Sequence, residues 1–150
     1  MAAERDNERS VLVRADLSAV ADLVAGRVIG TLAQLTEERA TVHIALTGGR
    51  GGAAVLSAIA AHPWRDNINW ARVHLWWSDE RFVPAADPER NEVLARAALI
   101  DSIDIPARNV HAISASDAGI DVDAAADAYA NELAGFAPVG GDPWPSFDIT

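Results

Sequence analysis

The chain contains no cysteine among its 150 residues, so it can form neither disulfides nor thiolate metal sites. It also has no uninterrupted apolar run of about 18 residues, the length that marks a membrane-spanning helix. The N-terminus, Met1-Ala2-Ala3-Glu4-Arg5-Asp6-Asn7, is polar and mixed in sign. It lacks the basic start and apolar stretch of a secretory signal, and a cytoplasmic location is the expectation. Basic residues are in the minority, 12 against 22 acidic ones, giving a formal net charge of -10. A field of that sign repels nucleic-acid phosphates, so neither nucleic acid nor membrane is an expected partner. A small anionic ligand would need a local cluster of arginine and backbone N–H groups to overcome that field. No internal repeat or low-complexity tract is present.

What is present is enough apolar residue for a core, half of the sequence. A chain of this length makes one domain and can bury roughly 70% of its unfolded surface. Strand and helix patterns alternate. Ser10-Val11-Leu12-Val13 is a short strand candidate. Val20, Leu23, Val24, Val28, Ile29, Leu32 and Leu35 recur at helical spacing between about Ser18 and Arg39, with Ser18 or Asp16 as cap. Val42–Leu46 is a nearly continuous apolar run, followed by a glycine-rich turn and a helix from about Ala53 to Ala61. Arg72–Trp77 is the next strand, and Pro88 can start a helix running to about Ile100. Asn109–Ile113 reads as a fourth strand, and Asp121 to about Gly135 as an alanine-rich helix with acids in its first turn. Phe147-Asp148-Ile149-Thr150 reads as the opening of another buried strand. Apolar strands separated by helices predict an α/β fold, a Rossmann-like open parallel sheet covered by helices on both faces.

In such sheets ligands bind outside the carboxyl ends of the strands. Two segments fall there. The first is Thr47-Gly48-Gly49-Arg50-Gly51-Gly52. Glycines allow close backbone approach, a following helix N-terminus offers free N–H groups to a phosphate, and Arg50 adds a forked donor. The same pattern can equally be a tight strand-to-helix turn, and it is neither a P-loop nor a dinucleotide fingerprint. The second segment is Ser78-Asp79-Glu80-Arg81-Phe82-Val83-Pro84, with Asp87-Pro88-Glu89-Arg90-Asn91 downstream. It either opens a solvated loop or places charge in a cleft. In a cleft, Arg81 could grip a phosphate and Asp79 could orient it or a catalytic water.

Thr47-Gly48-Gly49 after a strand, Asp79-Glu80-Arg81-Phe82-Val83-Pro84, and the later Glu89-Arg90-Asn91 together resemble the 6-phosphogluconolactonase family. The likeness continues through Ala95–Asp101, Ile105-Pro106 and Asn109-Val110-His111. It implies hydrolysis of 6-phosphogluconolactone to 6-phosphogluconate in the oxidative pentose phosphate pathway, without metal or organic cofactor. Thr47, Gly48, Gly49, Arg50 and Arg81 would hold the phosphosugar, with Asp79 in support. The state implied is monomer or homodimer. There are two departures. The family's catalytic base is a histidine in a Gly-His segment after the strand that Phe147–Thr150 resembles, and no Gly-His pair occurs in these residues. The resemblance therefore implies that the sheet here is incomplete, and that these residues alone do not turn over substrate. Arg50 stands where the family more often has a small residue. Deaminases or isomerases of phosphosugars with the same fold, and a non-catalytic phosphosugar-binding domain, are the alternative readings.

Three of the four histidines, His43, His74 and His111, lie early in their strands, toward the N-terminal edge of the sheet and away from the expected cleft. They read as structural rather than as metal ligands or a base. Trp76 and Trp77 are adjacent in a strand and must face opposite sides of the sheet.

Overall fold

The computed structural model describes residues 11–150. Helix α1 spans Leu17–Glu38, and its N-terminus is capped by Asp16, whose carboxylate accepts from the Ala19 N–H at 2.9 Å. Its Ala21, Ala25, Ile29, Leu32 and Thr36 stripe is buried. By length and composition alone α1 could cross a membrane, but that stripe is packed into the protein core.

Strand β1 is Val42–Leu46 and strand β2 is Val73–Trp77, paired in parallel with Val42 opposite Val73 and Leu46 opposite Trp77. Between them runs helix α2, Gly49–Ala61, as the crossover that parallel strands require. Helix α3 is Asn91–Ala98 and helix α4 is Val122–Ala134. Asp121 caps α4 by accepting from the Ala124 N–H at 2.8 Å. Single parallel bridges extend the sheet at each edge, Val110 beside Leu75 of β2 and Ile149 beside Ile44 of β1. The spatial order is therefore 110, β2, β1, 149, all parallel.

Alternation of side chains divides the sheet into two unlike faces. Val42, Ile44, Leu46, Val73, Leu75 and Trp77 point into one apolar cluster with Ile29, Leu32, Leu56, Ile59 and Ala95 of α1, α2 and α3 and with Leu99 just after α3. His43, His74 and Trp76 point the other way, with His111 beside them, toward α4 and the Phe136 that follows it. Trp76 and Trp77 do face opposite sides, and both are buried. The expected α/β architecture, with a parallel sheet and helices on both faces, is the architecture observed.

Local boundaries differ from the sequence reading in four places. Helix α2 starts at Gly49 rather than Ala53, so most of the glycine run belongs to its first turns. Asn109–Ile113 is not a full strand: only the Val110 bridge forms, because Ala107–Asn109 coils into a short 3-10 turn and the chain leaves the sheet after His111. Helix α3 starts at Asn91, with Pro88 in the turn before it, and ends at Ala98 before a 3-10 turn at Ile100–Ser102. Val11–Val13 is exposed and not in a strand, while Ser10 lies outside the described residues.

Candidate functional site

The glycine turn and the Asp-Glu-Arg loop leave the carboxyl ends of adjacent strands, and the structure ties them together. Ser78 sits just past β2, and both its N–H and its hydroxyl donate to the Leu46 carbonyl at the end of β1, each at 2.9 Å. Gly49 has φ of 76°, in the left-handed region that favours glycine. Gly48 and Gly52 are glycine for a different reason. A Cβ at Gly48 would overlap the Asn91 carboxamide, and one at Gly52 would run into the Thr47 carbonyl oxygen. The turn is thus packed closely against α3 and against itself.

The Asp-Glu-Arg loop is organised by its middle residue. The Glu80 carboxylate accepts from the backbone N–H groups of Arg81 at 2.8 Å, Asn91 at 2.7 Å and Glu92 at 2.9 Å. It therefore caps α3 and pins its own loop to that helix, as an acceptor at a helix N-terminus should. Arg90 lies beneath it, fully buried, donating to Glu92 Oε2 at 2.9 Å and to the Ile113 carbonyl at 2.8 Å, with Glu80 Oε2 at 3.8 Å. Sequence reasoning assigned no role to Glu80, Arg90 or Asn91. The available signal was the spacing: an acidic residue ending a strand, and Arg-Asn opening the next helix.

Asp79, Thr47, Gly49 and Arg50 are exposed at this rim, and Gly48 is half-buried. Asp79 offers its carbonyl to Asn91 Nδ2 at 3.0 Å, while its carboxylate makes one long contact, 3.4 Å, with the Ser78 hydroxyl. The Arg81 side chain is half-exposed, donates to the Glu89 carbonyl at 3.1 Å and lies 4.0 Å from the Glu89 carboxylate. It is directed along the 84–90 loop and retains donors for a ligand. Beneath the glycine turn a cavity of about 410 Å³ runs between β1, α1 and α2, lined by Val28, Leu32, Ile44, Val55 and Ile149 among others. Its walls are apolar, so it suits hydrocarbon and not a phosphate. Among the described residues no group of three His, Asp or Glu side chains is arranged to hold a metal ion.

His43, His74 and His111 lie on the far face. Trp76 Nε1 donates to His43 Nδ1 at 3.0 Å, His74 Nδ1 and His111 Nε2 are 2.8 Å apart, and His111 Nδ1 meets Glu132 of α4 at 2.5 Å. Asp148, which pairs with Arg39, accepts from the His43 N–H at 2.9 Å. Burial lowers the His74 pKa to about 4, helped by His111, His43 and Arg108. Burial also lowers that of His43, opposed by Asp148 and assisted by His111. Tyr129 bridges α4 to the Trp77 backbone, donating to its carbonyl at 3.0 Å and accepting from its N–H at 2.8 Å. Burial raises the tyrosine to about 12, partly offset by the bond to Trp77.

These shifts carry a sign for stability. Unfolded, His74 binds a proton near pH 6.5, whereas in the fold it does so near pH 4. Between those values the unfolded chain holds more protons, so stability rises with pH. The contribution is complete above pH 6.5 and is lost as pH falls toward 4. Urea unfolding at pH 7 and at pH 4.5 should show the loss, and His74→Gln should reduce the pH dependence. An unchanged slope in that variant would exclude His74 as its source.

A parallel sheet covered by helices on both faces, with a glycine turn and a charged loop at the carboxyl ends of neighbouring strands, defines an open-sheet α/β protein. The family model for glucosamine-6-phosphate isomerases/6-phosphogluconolactonase matches residues 15–150. The chain is 44% identical over 142 residues to 6-phosphogluconolactonase of Streptomyces coelicolor, covering 93% of this chain and 54% of that one. It is 45% identical over 125 residues to 6-phosphogluconolactonase of Mycobacterium tuberculosis, covering 82% and 49%. The crystal structure of 6-phosphogluconolactonase from Thermotoga maritima superposes with a TM-score of 0.69 at 26% identity, covering 78% of this chain and 50% of that one. The protein belongs to the glucosamine-6-phosphate isomerase/6-phosphogluconolactonase family. It spans about half the length of the curated relatives it matches.

Proposed function

We propose that this protein serves 6-phosphogluconolactone hydrolysis, a lactone (carboxylic ester) hydrolase reaction, and that the rim formed by Thr47, Gly48, Gly49, Arg50, Asp79 and Arg81 receives the phosphosugar. The observation that carries the reading is the juxtaposition of the glycine turn and the Asp79 loop through Ser78 and Asn91. The curated relatives named above, both 6-phosphogluconolactonases, favour lactone hydrolysis over the deaminase or isomerase reaction. The chemistry at the rim is coherent with an anionic ligand. Arg50 and Arg81 supply positive charge, and the amides at the start of α2 supply N–H donors. Asp79, exposed beside them, is placed to orient a water or a sugar hydroxyl. Hydrolysis also requires a general base for the attacking water. The reading assigns that base to the family's Gly-His segment, which does not occur in these residues. The reading includes a cytoplasmic location, matching a soluble sugar phosphate, and a monomer or homodimer.

The test is acid release from 6-phosphogluconolactone by the purified protein, together with calorimetric titration of 6-phosphogluconate. Binding with or without turnover supports the site; absence of both removes it. Arg81→Ala should weaken 6-phosphogluconate binding by about 1.5–3 kcal/mol, the range of a hydrogen bond to a charged group. Unchanged affinity would take Arg81 out of the site. Ammonia release from glucosamine 6-phosphate would favour the deaminase reading.

A further inference from the structure

Asn91 is 3% exposed, and its carboxamide occupies the gap between the two loops. On one side it lies where a side chain at residue 48 would stand, so it abuts the backbone of Gly48 directly. On the other side its Nδ2 donates to the Asp79 carbonyl at 3.0 Å. Its own N–H is held by Glu80 at 2.7 Å, which fixes where the side chain starts. The orientation of the amide follows from its neighbours: turning it over would set Oδ1 against the Asp79 carbonyl, two acceptors in contact. As oriented, Oδ1 is buried without a hydrogen-bond partner. An unpaired buried acceptor opposes folding, and an apolar side chain at residue 91 would leave no such acceptor. What an apolar residue could not supply is the bond to the Asp79 loop.

From this we infer that Asn91 is a positioning residue: it sets the separation between the Gly48–Gly49 turn and the Asp79–Arg81 loop, and so the width of the ligand rim. The coupling of the loops stands on geometry alone. Its consequence for phosphosugar binding rests on the function proposed above. Asn91 reaches no ligand itself, because its side chain is closed off from solvent. It acts through Gly48 on one side and through Asp79 on the other. Ser78, bonded to Leu46 at 2.9 Å, fixes the roots of the loops, and Asn91 fixes them further out.

The experiment compares wild type, Asn91→Leu, Gly48→Ala and the Gly48→Ala/Asn91→Ala double variant by amide NMR and by titration with 6-phosphogluconate. Asn91→Leu keeps the branching at Cγ while removing the bond to Asp79, and urea unfolding of the variant checks that the fold is kept. Its expected signature is a joint shift of the amide resonances of Gly48, Gly49, Asp79 and Arg81, with those of α1 unmoved. Amide exchange in the Asp79 loop should rise about tenfold and 6-phosphogluconate affinity should fall about tenfold, as for one lost hydrogen bond. Gly48→Ala should disturb the same two loops, and removing the Asn91 side chain in the double variant should relieve most of that disturbance. Shifts confined to α3 and Asp79, with Gly48, Gly49 and the affinity untouched, would overturn the inference and leave Asn91 a helix-start residue. Joint loop shifts in Asn91→Leu, together with a wild-type protein that does not bind 6-phosphogluconate, would uphold the coupling and defeat the phosphosugar reading instead.

Discussion

Replacing Arg90 by alanine is expected to lower the free energy of unfolding by about 3–5 kcal/mol, the range for breaking a buried ion pair by removing one partner. The Arg90 side chain is 1% exposed and the Glu80 side chain 2% exposed. Without the guanidinium, the Glu80 carboxylate remains buried with its backbone donors but no cation, and the Ile113 carbonyl loses its partner. The loss measures the uncompensated carboxylate and not a net gain from the pair. Two guanidinium nitrogens, Nε and Nη1, are themselves buried without partners, so the intact pair already carries a desolvation cost. For that reason Arg90→Met, which refills the buried stem without the unpaired guanidinium nitrogens, should lose less than Arg90→Ala. Urea unfolding followed by tryptophan fluorescence measures both. A loss under about 1 kcal/mol for Arg90→Ala, the value of an exposed pair, would show that water reaches Glu80.

Trp76→Ala should cost a similar amount, about 3–5 kcal/mol, from the far face of the sheet. Trp76 is fully buried and stacks on His111 with ring centroids 3.8 Å apart and planes 9° from parallel. Phe136 meets its edge at 5.2 Å. Truncation leaves a void that the strand backbone holds open, and it strips His43 Nδ1 of its donor. Trp76→Phe keeps most of the ring volume and should lose about 1–3 kcal/mol, mainly the unsatisfied imidazole nitrogen. Calorimetric unfolding of the two variants gives the ranking, and equal losses would mean that the hydrogen bond to His43, which both variants remove, sets the cost rather than ring volume.

Both residues show where sequence reasoning reached and where it stopped. The alternation around Trp76 and Trp77 assigned them to opposite faces, since a strand permits nothing else. That one face would be a histidine–tryptophan cluster closed by Glu132 and Phe136 required knowing which helix returned to it. Arg90 looked like one more charge in a polar loop. Its burial depends on Glu80, ten residues earlier, and on a carbonyl at Ile113, contacts that no local pattern encodes. The glycine run misled in the same way. Glycine disfavours helix, which argued for a loop up to Gly52. In the fold, α2 begins at Gly49, and residues 48 and 52 are glycine because close contacts from Asn91 and Thr47 leave no room for a Cβ there.

By itself the sequence determined the class of this protein: apolar runs and helical periodicity specify α1, β1, β2 and α4, and parallel pairing follows because strands joined through helices run the same way. It also placed the candidate rim after β1 and β2, since the glycines and the Asp-Glu-Arg block stand at those strand ends. The tertiary structure decided how wide the sheet is around β1 and β2, which charges are buried, and what holds the two loops together. Those outcomes depend on contacts between residues tens of positions apart, where packing and desolvation outweigh the local preferences that a sequence displays.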